Sequence, residues 1–136
     1  MARRWSSFGL FGIFGRSEDL RALDRALRSV DVHPNLVPEA VKLTIVRLIA
    51  DDAVGDEPPP QAYRAAAEIV GYCMIGPAGF ANSNSDDLAL QVERRIEAAV
   101  AAGEGVDADL VLLTLHAKVI QPSVVEQFQI ESGSNT

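Results

Sequence analysis

The stretch LVLLTLHAKVI, residues 110–120, is the most apolar part of the chain and the strongest indication of its fold class. Its apolar residues lie on most sides of a helix with about 3.6 residues per turn. A helix of that kind is buried at the centre of a protein. Val106 and Val111 are placed to form a hydrophobic staple across its start. We therefore predict a central helix that begins at Asp107 and continues to Ile120.

A second helix of the same kind precedes the proline-rich part of the chain. Pro38 fits the first position of a helix. The apolar residues between Leu43 and Ile49 leave only a thin polar edge, which again favours a central position. The stretch DDAVGDEPPP, residues 51–60, ends this helix, because Gly55 accommodates a left-handed stop and the three prolines cannot continue a helix.

Three amphipathic helices are predicted around these two. The first begins after Ser17, which is a suitable N-cap, and stops near Asp31. The second covers residues 61–75, and the third runs from Ser85 or Asp86 to a stop at Gly103.

The remaining segments are predicted to be short or irregular. Residues 76–85, GPAGFANSNS, have the composition of a turn-rich loop. A short last helical turn is expected from Pro122 to about Gln127. No stretch alternates apolar and polar residues between turns, as a half-exposed strand would.

These patterns predict an all-α protein, a compact bundle of about five helices. Two helices are central and apolar, and three are amphipathic. With 136 residues the chain is long enough for one domain with a core of its own. We assign that domain to residues 17–130, flanked by an apolar and basic N-terminal arm, residues 1–16, and a flexible polar tail, residues 131–136.

Composition narrows the classes of partner and the compartment. The formal net charge of −7 disfavours nucleic acid, because phosphate binding needs concentrated lysine and arginine. The single cysteine, Cys73, excludes an internal disulfide and suits a reducing compartment. No apolar stretch reaches the roughly 20 residues that span a bilayer. We expect a cytoplasmic protein.

The N-terminal arm has an unusual composition. Its sequence RRWSSFGLFGIFGR, residues 3–16, contains three consecutive Phe-Gly-x units. Residues 1–17 carry three arginines and no acid, so the rest of the chain has a charge of −10. Each glycine inside a helix costs about 1 kcal/mol relative to alanine, which disfavours a helical arm. Such an asymmetric, aromatic arm is typical of an interaction tail.

Three destinations are open for the arm. It can pack on the protein's own core, or it can dock into a groove on another protein or on a second copy of the chain. It can also insert into an anionic membrane surface, but the acidic body would be repelled there. Docking is therefore preferred to membrane binding, and its contact residues are Trp5, Phe8, Phe11 and Phe14.

His116 and Cys73 define an alternative site. Leu112 and Ile120 lie one turn to either side of His116, so we expect His116 to point away from water. Cys73 lies among apolar helix neighbours, which is typical of an ordinary buried thiol. A pocket around these two residues, with Tyr72, would make the protein a small enzyme or a ligand-binding bundle. A neutral core histidine is the more common outcome for such a position.

No motif commits the chain to a chemistry. The residues three and four positions from His116 are aliphatic, so this helix offers no metal site. The pair Asp86-Asp87 is explained by its place at a helix start. We predict no catalytic residue, no metal and no cofactor. The predicted function is a non-enzymatic helical protein-interaction module, an adaptor or regulatory protein, with the arm as its docking or dimerisation element.

Overall fold

A computed structural model describes residues 10–53 and 57–130, with side chains from Glu18 onward. Within these ranges the chain forms seven α-helices and one 3₁₀ turn and contains no strand, which confirms the all-α class. The helices are α1 (Leu10–Ser29), α2 (Glu39–Asp52), α3 (Pro60–Ile75), α4 (Pro77–Ser83), α5 (Asp86–Ala102), α6 (Val106–His116) and α7 (Pro122–Phe128), and the 3₁₀ turn is Pro34–Leu36. None of the helices described is both long and apolar enough to cross a membrane.

The most enclosed helix is α3, and not α2 or α6, the two helices that were predicted to be central. It packs against α1, α2, α4, α5 and α6. Small residues make this possible, because a helix without bulk lets its neighbours approach closely. A Cβ added at Gly71 would lie 3.1 Å from Val32 Cγ2 and 3.3 Å from Val30 Cγ2. The centre of the bundle is thus set by steric fit and not by apolar content alone.

The predicted count of five helices is wrong because residues 77–83 form α4 in place of a loop. Pro77 occupies the start of α4, where its missing N–H costs nothing. Phe80 is fully buried and its ring centroid lies 5.6 Å from that of Tyr72. Burial of one aromatic side chain therefore holds a short helix that the turn-forming composition does not indicate. The predicted last turn is confirmed as α7, which buries Val124 and Phe128.

The boundaries of α5 follow the prediction. Ser85 is the N-cap, and its side chain accepts a hydrogen bond of 3.0 Å from the Leu88 N–H. Gly103 ends the helix with a left-handed φ of 72°. By contrast, α6 ends at His116 and does not reach Ile120, because Lys118 takes a left-handed φ of 62°.

The first helix begins at Leu10, well before the predicted start at Ser17. The backbone of residues 10–16 is therefore helical, and the predicted boundary between arm and helix is wrong. Helix propensity is a weak preference that the rest of a helix can override, and two glycines weigh against a helix without forbidding it. Residues 1–9, with Trp5 and Phe8, and the tail 131–136 lie outside the described residues. Gly55, the predicted stop of α2, also lies outside the described residues.

Candidate functional site

A groove of about 470 Å³ lies between α1 and the chain that leads into α3. Residues at helical spacing on one face of α1 form its first wall: Glu18, Asp19, Ala22, Arg25, Ala26 and Ser29. The facing wall comes from the start of α3 and the residues before it: Glu57, Pro58, Pro60, Tyr63 and Arg64. We call this feature the α1–α3 groove.

The floor of the α1–α3 groove combines small apolar side chains with one buried tyrosine and is fixed in place. Ala22 and Ala26 are small, so α1 leaves space above them. Tyr63 is only 5% exposed, and its hydroxyl donates a hydrogen bond of 2.8 Å to Asp19 Oδ1. This bond joins α1 to α3 at the base of the groove. Pro58 and Pro60 stiffen the facing wall, because proline fixes its own φ.

The rim of the groove carries charges of both signs. Arg64 forms an ion pair of 3.0 Å with Glu68 one turn along α3. Glu18 forms a longer pair of 3.7 Å with Arg21, and both side chains are exposed. Exposed pairs of this kind contribute about 0–1 kcal/mol, so they can be exchanged for other partners. A charged rim around an apolar floor is the usual anatomy of a protein-binding surface.

An arginine network behind the groove connects α3, which forms one wall, to α5 and α6. Arg95 of α5 donates two hydrogen bonds to the Asp107 carboxylate, at 3.2 and 2.9 Å. It also donates to Glu68 at 3.0 Å and to the Ala65 carbonyl at 3.1 Å. Since Glu68 also accepts from Arg64, the groove rim is connected to this network. Arg95 thereby ties α3, α5 and α6 together.

The predicted contact residues of the arm can be placed only in part. Phe11 and Phe14 belong to α1, whose backbone is described there, but their side chains lie outside the described part. Trp5 and Phe8 fall wholly outside it. Their docking role therefore stays a prediction.

The structure places His116 and Cys73 in different environments. His116 is exposed at the C-terminal end of α6, so the expectation that it points away from water is wrong. Thr114 takes the buried position in its place and donates its hydroxyl to the Val111 carbonyl at 2.7 Å. A threonine that satisfies its own helix can be buried without cost to hydrogen bonding. Neither His116 nor Cys73 lines the α1–α3 groove.

Cys73 and Tyr72 are both fully buried. Burial raises the pKa of the Cys73 thiol to about 12, and a hydrogen bond with the Thr114 side chain offsets this only in part. Burial also raises the pKa of Tyr72, and its hydrogen bond to Glu93 raises it further. The Tyr72 hydroxyl donates to Glu93 Oε2 at 2.6 Å. The predicted buried thiol is confirmed, and at neutral pH Cys73 is protonated and therefore a poor nucleophile.

A second cavity of about 90 Å³ lies where α2, α3 and α6 meet. Its walls are mainly aliphatic, with Asp52 and Asp107 at the edge. In the parts of the chain with described side chains, no group of three or more histidine, cysteine or acidic residues could hold a metal ion. The larger groove is therefore the better candidate for a binding site.

Sequence patterns did not reveal the α1–α3 groove. On α3 the structure leaves Ala62 half-buried and buries the larger side chain of Tyr63. The pairing of Tyr63 with Asp19 joins residues far apart in the chain, which no local periodicity signals.

No protein-family model, curated protein or solved structure matches the chain. The candidate site consequently rests on the geometry and chemistry of the groove.

Proposed function

We propose that this protein is a helical protein-interaction module, with an adaptor or regulatory role, whose N-terminal Phe-Gly segment docks onto a protein surface, in the first instance that of a second copy. The observation that carries the proposal is the continuity of α1. This one helix supplies a wall of the α1–α3 groove and extends without interruption to Leu10, inside the Phe-Gly segment.

The chemistry of the segment supports a docking role. Aromatic residues and arginine are enriched at the energetic centres of protein interfaces. Residues 3–16 contain Trp5, three phenylalanines and three arginines. Soluble proteins rarely leave an apolar cluster of that size exposed unless it serves as an interaction surface.

The arrangement of α1 supports it as well. From Glu18, where the groove begins, to Leu10 the helix extends by about 12 Å at 1.5 Å per residue. A continuous helical backbone therefore connects Leu10 to the wall of the groove. A helical connection of this kind orients a docking element and lowers the entropy lost on binding.

The test is the solution mass of the full chain beside a variant that lacks residues 1–9. Truncation at this point leaves all of α1 in place. We expect a dimer for the full chain and a monomer for the shortened one, measured by light scattering after gel filtration. Their melting temperatures should agree within a few degrees.

Two results would contradict the proposal. Equal masses for both proteins would remove the docking role of residues 1–9, which include Trp5 and Phe8. Monomers throughout, with a much lower melting temperature after truncation, would show that the segment packs on its own core. Sedimentation with anionic vesicles, run in parallel, identifies membrane binding if neither protein self-associates.

A further inference from the structure

We propose that the α1–α3 groove is the receiving surface for residues 1–9 of a second copy of the chain, so that two copies exchange their N-terminal segments. This inference rests on the proposed function and adds to it the site at which the segment docks.

The direction of α1 favours a second copy over the same chain. Residues 1–9 are attached at Leu10, about 12 Å beyond the start of the groove at Glu18. Because the helix between these points is continuous, the segment must reverse direction completely to enter its own groove. A second copy meets it in the direction that α1 already gives.

The dimensions of the two parts agree. Nine extended residues span up to about 30 Å. The groove wall on α1 runs from Glu18 to Ser29, which is about 16 Å at the helical rise. The segment can therefore cover the whole groove and retain a few residues that connect it to its own helix.

The floor of the groove suits aromatic side chains. Ala22 and Ala26 leave space where a larger residue of α1 would close it, and the ring of Tyr63 lies in the same floor. The groove volume of about 470 Å³ is in the range of pockets that enclose ligand-sized groups. Trp5 and Phe8 are the residues of the segment that fit such a floor.

The charges of the two parts are complementary. Residues 1–9 contain Arg3 and Arg4 and no acid. The groove offers three carboxylates, those of Glu18, Asp19 and Glu57. Its two arginines, Arg25 and Arg64, offset two of these charges, so the formal charge of the groove lining is −1. Rim charges of this kind contribute to the rate and specificity of association more than to its strength.

Reciprocal exchange gives a closed dimer. Each copy donates one segment and accepts one, so the two contacts are identical and related by a two-fold axis. The exchange occupies both segments and both grooves, which predicts a dimer and no larger assembly through this contact.

The first experiment reverses the charge of the groove rim. The variant Glu18→Arg with Glu57→Arg adds positive charge beside the docked Arg3 and Arg4, and both replaced residues are exposed. The control is Glu97→Arg with Glu104→Arg, two exposed residues away from the groove that give the same change in net charge. We expect the dissociation constant of the dimer to rise about tenfold or more in the groove variant and to stay unchanged in the control.

The second experiment uses Trp5, the only tryptophan of the chain. The variant that lacks residues 1–9 contains no tryptophan but keeps an intact groove, whereas the charge-reversed variant keeps an intact segment. Mixing the two restores one of the two contacts. We expect a one-to-one complex and a blue shift of Trp5 emission that saturates as the truncated protein is added.

The outcomes separate the two proposals. If truncation abolishes the dimer but charge reversal does not, the segment docks elsewhere and only the groove assignment is wrong. If truncation leaves the dimer intact, residues 1–9 do not dock, and both the groove assignment and the docking role of Trp5 and Phe8 are wrong. If Trp5 emission is already blue-shifted in a full-length monomer and is independent of concentration, the segment packs on its own chain, and both proposals are again wrong.

Discussion

Replacement of Arg95 by methionine is the sharpest test of the described packing. Methionine keeps most of the aliphatic stem, so the substitution removes the guanidinium and its bonds without opening a large cavity. Four hydrogen bonds are lost, to Asp107, Glu68 and the Ala65 carbonyl. The Asp107 carboxylate and the Ala65 carbonyl then lose a donor, while Glu68 retains its bond from Arg64.

The expected loss lies between two limits. Removal of one partner from a fully buried ion pair costs about 3–5 kcal/mol, and an exposed pair contributes about 0–1 kcal/mol. The side chains here are 28% exposed for Arg95, 16% for Glu68 and 30% for Asp107. We therefore expect Arg95→Met to lower the free energy of unfolding by about 2–3 kcal/mol.

Urea denaturation at neutral pH, followed by circular dichroism, measures this change. The matched control is Arg64→Met, which removes one bond to the same Glu68 from a side chain that is 45% exposed. We expect the control to cost at most about 1 kcal/mol. Equal losses for the two variants, or a loss below about 0.5 kcal/mol for Arg95→Met, would refute the role given to the arginine network.

Two further predictions concern the neighbourhood of α3 and α4. Burial raises the pKa of Cys73 from 9.0 to about 12, so the unfolded chain releases the thiol proton first as the pH rises. The free energy of unfolding should therefore fall between about pH 9 and 12, and it should fall less in Cys73→Ala. Urea titrations at pH 8 and pH 10 measure the change; an equal fall in the free energy of unfolding for the wild type and Cys73→Ala would contradict the prediction. A Cβ at Gly79 would overlap Ile75 Cγ2 in α4, so Gly79→Ala should lower the free energy of unfolding by about 1–3 kcal/mol. A melting temperature equal to that of the wild type would place residues 77–83 in a loop instead.

Much of the fold could be predicted because its signals are local. The N-cap at Ser85 and the left-handed stop at Gly103 depend on contacts within one turn of α5, and both are found as predicted. The burial of Cys73 follows from its apolar neighbours on the same helix. Interactions over so few residues can be predicted directly from the spacing of the residues.

The failures arise where burial depends on another part of the chain. Phe80 is buried against Tyr72, and this contact holds α4 in a segment whose glycine, proline and asparagine content indicates a loop. On α6 the buried polar residue is Thr114, and not His116, because the Thr114 hydroxyl bonds to the Val111 carbonyl and needs no water. The inferred orientation of His116 was wrong for that reason.

The sequence by itself determined the all-α class, the apolar character of α2 and α6, and the unusual chemistry of residues 1–16. Only the tertiary structure decided that α3 lies at the centre, that His116 is exposed, and that α1 and α3 enclose a groove. The physical reason is the separation along the chain of the residues that interact. Helix periodicity and capping act over about four residues, whereas the groove depends on a hydrogen bond between Asp19 and Tyr63, which are brought together only when the helices pack.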